Sequence, residues 1–239
     1  MPTVLLVRHG RTDANASGVL AGWTPGVTLD DAGAEQAAAL AERLRPLPLG
    51  GVVSSPLERC RQTADALVTG RGTAVRCDER LAECRYGEWT GRSLKSLAKE
   101  PLWRVVQAHP SAADFPGAEG ETLRAVQARA VDAVRDWDER MAAEHSPDAV
   151  WVAVSHGDVI KAILADALGL HLDCFQRIVV DPCSVSAIRY TDLRPFVLRI
   201  NDSGGDVSAL LPPRRRRRAR TGSRKRSSDA VVGGGAGNA

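Results

Sequence analysis

Two histidines occupy the same kind of position, each near the end of a short apolar run and directly before a glycine. His9 follows the run that begins at Val4, and His156 follows the run that begins at Val150. Such runs predict buried strands, and ligands bind at the carboxyl ends of strands in open α/β sheets. Either histidine alone is more simply a structural residue. The pair predicts two imidazoles that converge on one pocket, where glycine lets a ligand approach the backbone.

A third apolar run, 51–54, leads into Ser55-Pro56-Leu57-Glu58, which indicates the beginning of a helix. Its serine can cap the helix, its proline fits the first helical position, and its glutamate completes a capping box. Arg59 then lies in the first turn, where the helix dipole disfavours a cation unless an anion binds there. Arg59 and Arg8 offer planar forks suited to phosphate oxygens, although a solvated surface position remains an alternative for Arg59.

Strand and helix patterns alternate along most of the chain. The predicted strands are 4–7, 51–54, 73–77 and 150–154, followed by two closing strands, 184–190 and 196–200. The predicted helices include one after Asp31 that ends before Pro46, one over 121–143 and one that Asp158 begins. This alternation predicts an α/β fold with a parallel or mixed sheet covered on both faces.

The charge distribution divides the 239 residues into two parts. Residues 204–239 contain nine Arg and Lys against two Asp, a net charge of +7, whereas residues 1–203 carry −4. We therefore predict one domain over 1–203 and a disordered basic tail over 204–239 that is rich in Arg, Gly and Ser. Such a tail is typical of non-specific polyanion binding, so a polyanion- or nucleic-acid-binding protein is the alternative from another class. No aromatic residue interleaves the basic run, which argues against base stacking.

The cysteines and the N-terminus point to a cytoplasmic protein. Five scattered cysteines form neither a CxxC pair nor a cluster at metal-ligand spacing, so we predict free thiols in a reducing compartment and no metal site. No signal-peptide pattern and no apolar run near membrane-spanning length is present. We predict no membrane partner, and the sequence gives no indication of the oligomeric state.

Four segments, in order, resemble the signature elements of the histidine phosphatase superfamily, whose members include the phosphoglycerate mutases. They are Arg8-His9-Gly10-x-Thr12-x-x-Asn15, Ser54-Ser55-Pro56-Leu57-x-Arg59-x-x-x-Thr63, Leu81-x-Glu83-x-x-x-Gly87-x-Trp89-x-Gly91 and Ser155-His156-Gly157. The first tripeptide alone is weak evidence, but four ordered elements over about residues 3–200 are specific. The resemblance implies a three-layer α/β/α sandwich with a mostly parallel mixed sheet.

The resemblance also implies a role for each matched residue. His9 matches the nucleophile that becomes phosphohistidine, and Glu83 matches the proton donor to the leaving oxygen. His156 is the third residue matched to catalysis, as part of the clamp around the phosphoryl group. The residues matched to phosphate binding are Arg8, Asn15, Arg59 and Gly157. Without the family, nothing distinguishes Glu83 among the 29 acidic residues.

Phosphoryl transfer needs positioned positive charge, which two arginines and a protonated His156 can supply without a metal or cofactor. The expected activity is therefore that of a metal-independent phosphatase acting on a small phosphorylated metabolite through a phosphohistidine on His9. A phosphoglycerate mutase-type phosphomutase is the runner-up. An inert interaction module is disfavoured because every matched catalytic position holds a competent residue type.

Departures from the mutase pattern favour a phosphatase. Cys84 replaces an arginine that helps hold the substrate carboxylate in the mutase branch. The segment 91–120 is also short and lacks an Arg-Arg pair. Residues 21–25 also depart from the usual Gln-Gly-x-x-Asp pattern, which leaves the substrate open. Trp89 is expected in the core rather than in the pocket wall.

Overall fold

A six-stranded mixed sheet forms the centre of the molecule in the computed structural model, which describes residues 1–205 and 232–235. The strands are β1 (Thr3–Arg8), β2 (Leu49–Ser54), β3 (Val75–Cys77), β4 (Val150–Ser155), β5 (Val185–Tyr190) and β6 (Pro195–Asp202). Their order is β3-β2-β4-β1-β5-β6, with the first four parallel and the last two antiparallel to their neighbours. The predicted mixed, mostly parallel sheet is confirmed.

Seven α-helices in the described residues flank and connect these strands. They are α1 (Asp13–Ser17), α2 (Asp31–Leu44), α3 (Glu58–Val68), α4 (Leu94–Leu97), α5 (Pro101–Ala108), α6 (Leu123–Glu144) and α7 (Gly157–Ala167). Alternating side chains of the central strands divide the core into two clusters. One cluster joins the sheet to α2 and α3, and the other joins it to α6 and α7. The three-layer α/β/α sandwich is thus confirmed.

Three neighbouring strands deliver the sequence motifs to one edge of the sheet. Arg8 at the end of β1 is in register with Ser155 at the end of β4, and Ser54 at the end of β2 is in register with Val154. The backbone N–H of His9 donates to the carbonyl of Ser155 over 3.0 Å. Because the strands are parallel, residues far apart in sequence meet at this edge.

The beginning of α3 differs from the prediction. The backbone N–H of Ser55 donates to the carbonyl of Val154 over 2.9 Å, so Ser55 extends the sheet instead of capping the helix. The helix therefore begins at Glu58, two residues later than predicted, and Leu57 is its N-cap without a side-chain hydrogen bond. Asp158 likewise lies inside the first turn of α7, where His156 is the N-cap residue.

Part of the predicted disordered tail is in contact with the domain. Residues 206–231 and 236–239, which include the whole basic run, lie outside the described residues. Within 232–235, however, Val232 is 1% exposed and belongs to the cluster beneath α6 and α7. This apolar anchor was not recognised in the sequence because the surrounding composition is Gly-rich and polar. Over the described ranges, no helix combines the length and apolar character needed to cross a bilayer.

Candidate active site

His9 presents one ring nitrogen as a free nucleophile. Its Nδ1–H donates to the carbonyl oxygen of Gly10 over 2.7 Å, which fixes the proton on Nδ1 and leaves the lone pair on Nε2. Burial, followed by the nearby charges of Arg59 and Arg8, lowers the pKa of His9 well below its ordinary value of 6.5. The imidazole is therefore neutral at physiological pH, as an attacking nitrogen must be.

The loop that carries His9 rests on the first turn of α2. A β-carbon on Gly10 would lie 2.6 Å from the carbonyl oxygen of Gly33, and a β-carbon on Gly33 would overlap the carbonyl oxygen of Arg11. On its other side, the backbone N–H of Gly10 donates to Oγ1 of Thr63 in α3 over 3.0 Å. The contacts of Gly10 with α2 and α3 thus fix the position of the neighbouring His9 relative to the sheet.

Arg8 and Arg59 are buried cations with free donors. Arg8 is 0% and Arg59 2% exposed. Nη1 of Arg8 donates to the carbonyl of Val180, and Nη2 of Arg59 donates to that of Gly22, each over 2.8 Å. Nε and Nη2 of Arg8 and Nη1 of Arg59 have no hydrogen-bond partner. Because buried guanidinium N–H groups are costly to leave unpaired, the pair favours an anionic ligand.

His156 lies beside His9, with 5.2 Å between the ring centroids, as the two-histidine pattern predicted. Nη2 of Arg59 donates to Nδ1 of His156 over 3.2 Å, so Nε2 carries the proton and donates to Oγ of Ser55 over 2.8 Å. Burial and then the charge of Arg59 lower the pKa of His156 well below 6.5. The ring is therefore neutral in this arrangement, and a protonated His156 during phosphoryl transfer stays a prediction.

Glu83 is a buried carboxyl group at the same edge. It is 3% exposed, and its Oε2 lies 3.8 Å from Nδ1 of His156. Burial raises the pKa of Glu83 to about 7, and the negative charge of Asp158 acts in the same direction while Arg59 opposes it. A carboxyl group with such a pKa can hold a proton near neutral pH and release it in a reaction.

These residues surround a cavity of about 350 Å³. Four predicted residues lie on its wall: His9, Asn15, Arg59 and Glu83. Arg8, His156 and Gly157 are buried and lie behind this wall. Asn15 completes a reciprocal capping box with Thr12, and its Oδ1 accepts from the Thr12 hydroxyl over 2.9 Å.

Three contacts that hold the site together were missed by sequence reasoning. Ser55 orients His156, whereas its Ser-Pro context had indicated a helix cap. Nε1–H of Trp23 donates to the carbonyl of Glu83 over 2.6 Å, and Nη2 of Arg129 donates to the same oxygen over 3.2 Å. The region around Trp23 had been marked only as a departure from the family pattern. Nothing in the sequence distinguishes Arg129 from the other arginines of α6.

The comparison with protein families agrees with this geometry. Residues 4–203 match the family model described as the histidine phosphatase superfamily (branch 1). This chain belongs to the histidine phosphatase superfamily. A probable phosphoglycerate mutase, GpmB of Cronobacter sakazakii, is 30% identical over 215 residues, which cover 88% of this chain and 95% of that protein.

Solved structures of other proteins share the fold of this chain. YhfR of Bacillus stearothermophilus superposes with a TM-score of 0.76 and 26% identity, covering 84% of this chain and 98% of that one. A mycobacterial glucosyl-3-phosphoglycerate phosphatase, solved as a complex with VO3, superposes with a TM-score of 0.73 and 28% identity, covering 84% of this chain and 99% of that one. A putative α-ribazole-5′-P phosphatase of Escherichia coli K-12 superposes with a TM-score of 0.73 and 25% identity, covering 86% of this chain and 98% of that one.

Two residues of the third sequence element are buried in this member of the superfamily. Trp89 is 2% exposed and stacks on Trp103 with 6.2 Å between ring centroids, so its predicted place in the core is confirmed. Cys84 is 0% exposed, and burial raises the pKa of its thiol well above the ordinary value. The position that holds an arginine in the mutase pattern therefore offers no charge here.

All five cysteines lie in the described part of the chain and are free thiols. One of them, Cys60, is buried with its Sγ 3.3 Å from Nε2 of His156. Burial raises the pKa of Cys60 to about 12, so it is a neutral neighbour rather than a nucleophile.

Proposed function

We propose that this protein is a metal-independent phosphatase that hydrolyses a small phosphomonoester through a phosphohistidine on His9. The observation that carries the proposal is the position of a free imidazole Nε2 beside Arg8 and Arg59, two buried arginines with unpaired donors. An incoming phosphoryl group would find its nucleophile and its counter-charges already in place. Preorganised charge of this kind stabilises a transition state in which negative charge spreads over the equatorial oxygens.

In the first step, Nε2 of His9 attacks phosphorus as the bond from phosphorus to the ester oxygen breaks. Protonated Glu83 gives its proton to that oxygen, which leaves as an alcohol. In the second step, water attacks the phosphohistidine, the bond from phosphorus to nitrogen breaks, and Glu83 takes a proton from the water. Inorganic phosphate then leaves, and both residues regain their starting states.

His156 would contact the phosphoryl group through Nδ1, protonated once a dianion is bound, because its Nε2–H is held by Oγ of Ser55. The dianion would oppose the lowering of the pKa of His156 by burial and by Arg59. Asn15 and the backbone of Gly157 would add neutral contacts to the phosphoryl oxygens. These assignments follow the family pattern, and of the three residues Asn15 lines the cavity.

Phosphatase activity is favoured over mutase activity by the uncharged, buried Cys84. A mutase must keep its substrate bound while the phosphoryl group moves, and a cation for the substrate carboxylate would be expected nearby. Mutase activity is the second candidate, because relatives of this chain are named as probable phosphoglycerate mutases. A panel of phosphorylated metabolites, assayed both for inorganic phosphate and for isomerised ester, separates the two. Release of phosphate without isomer supports the proposal, and isomer as the main product overturns it.

We expect full activity in excess EDTA. The positive charge that this mechanism needs comes from Arg8 and Arg59, which cannot be chelated. No group of three or more His, Cys, Asp or Glu side chains in residues 1–205 or 232–235 is arranged to hold a metal ion. Initial rates with and without EDTA test this. Complete loss that zinc or magnesium restores would refute a metal-independent reaction.

We expect kcat/KM for alkyl phosphates, which reports the first step, to fall as the pH rises above about 7, which is the pKa of Glu83. The raised pKa keeps the proton on Glu83 below that pH, and its loss above that pH removes the acid that the leaving alcohol needs. His9 should cause no loss near pH 6.5, because its pKa is lowered well below that value. The measurement is a profile of kcat/KM from pH 5 to 9. A rate that rises through pH 8 would contradict this role for Glu83.

A further inference from the structure

Residues 232–235, here called the C-terminal segment, form part of the wall of the active-site cavity. Val232 anchors the segment, since its side chain is 1% exposed within the main apolar cluster. The backbone N–H of the next residue, Gly233, donates to Oδ2 of Asp158 over 2.9 Å. The segment is thus held by one apolar contact and one hydrogen bond to a charged group.

Asp158 is a buried carboxylate that gains a needed donor from this contact. It is 0% exposed, and its Oδ2 also accepts from the hydroxyl of Tyr86 over 2.9 Å. Its other oxygen, Oδ1, has no hydrogen bond and lies 3.6 Å from Nζ of Lys161. A buried carboxylate short of donors is costly, so the N–H of Gly233 stabilises the docked position.

Only residues without side chains fit where the segment crosses the site. Gly233 and Gly234 both have φ of 75°, a conformation that glycine adopts readily. A β-carbon on Gly234 would lie 2.9 Å from Cζ of Arg8, and one on Gly157 would lie 3.1 Å from the carbonyl oxygen of Gly233. The segment therefore lies directly against the guanidinium of Arg8 and the first residue of α7.

We propose that the C-terminal segment is a wall of the active site that restricts the enzyme to phosphomonoesters of compact alcohols. The inference rests on the proposed function and deepens it. With the segment docked, a cavity of about 350 Å³ remains, and His9 and Glu83 both line it. The segment thus narrows the site without filling it, and a bulky leaving group would have to displace it.

The test of selectivity compares two primary-alcohol esters, glycerol 3-phosphate and adenosine 5′-monophosphate, whose leaving groups are chemically alike but differ in size. In a chain that ends at Gly205, kcat/KM for the larger ester relative to the smaller should rise about tenfold, as expected for the loss of one pocket wall. Gly234→Val in the full chain should produce the same shift without altering the basic tail. Gly205→Val is the matched control, because a β-carbon there meets no atom within 4 Å.

Two kinetic outcomes would overturn the proposal. An unchanged ratio in the shortened chain would mean that the segment has no part in selection. An equal rise in kcat/KM for both esters would make the segment a general inhibitor instead of a selective wall.

Hydrogen exchange tests the docking without relying on activity. A peptide that spans 232–235 should exchange slowly in the full chain and quickly in Val232→Asn, which loses the apolar anchor. Fast exchange in both proteins would show that the segment does not dock and would overturn the proposal. If neither the full nor the shortened chain hydrolyses any phosphomonoester, the proposed function fails, and the exchange result alone then decides whether the segment docks.

Discussion

Replacing His9 with alanine should lower phosphatase kcat by about 10⁴-fold or more, because the variant has no nitrogen to attack phosphorus. Arg8 and Arg59 remain in His9→Ala and would still bind phosphate. Substrate binding should therefore change much less than turnover. Incubation with a ³²P-labelled phosphomonoester, followed by rapid denaturation, should label the parent protein with acid-labile phosphate and leave the variant unlabelled.

The matched control is His109→Ala, which removes an imidazole that is 72% exposed and lies outside the cavity wall. That variant should keep the parent rate and the parent label. Circular dichroism of both variants checks that the fold survives. Turnover near the parent rate in folded His9→Ala would assign the nucleophile to another residue.

Replacing Glu83 with glutamine should lower kcat/KM, which reports the first step, by about 10²–10⁴-fold for alkyl phosphates and far less for nitrophenyl phosphate. An alkoxide needs a proton as it leaves, whereas a nitrophenolate leaves without one. The substitution keeps the shape of the side chain, and its amide oxygen can still accept from the backbone N–H of Cys84, which donates to Oε1 over 3.0 Å in the parent. The variant lacks only the acidic proton that the carboxyl group can give to the leaving oxygen.

The control for this loop is Glu88→Gln, an exposed carboxylate five residues further along the chain. It should leave both substrates and the pH profile unchanged. In Glu83→Gln, the decline of the alkyl-phosphate rate above about pH 7 should disappear. Equal losses on alkyl and aryl esters would remove Glu83 from the role of acid.

The sequence predicts those parts of the site that depend on strand ends. His9 and His156 were paired from the sequence because each follows an apolar run, and parallel strands bring such positions to one edge. Their observed centroid separation of 5.2 Å follows from the adjacency of β1 and β4. Glu83 could not be found this way, because it lies in a loop and its pKa depends on burial by the rest of the fold.

Contacts between distant, irregular segments escaped prediction for the same reason. The docking of Val232 on the domain has no local pattern, since two valines before a run of glycines carry no periodicity. The protonation state of His156 depends on the Nη2 of Arg59 that reaches its Nδ1, a detail of side-chain geometry that residue type and spacing do not contain.

The packing of Gly10 against Gly33 extends the set of positions on which turnover depends beyond the four signature elements. Gly33 does not line the cavity and lies in the first turn of α2. Even one added methyl group there would push against the backbone at Arg11, two residues from the nucleophile. An inherited or engineered change at such a place can silence the enzyme while leaving every residue of the catalytic signature intact.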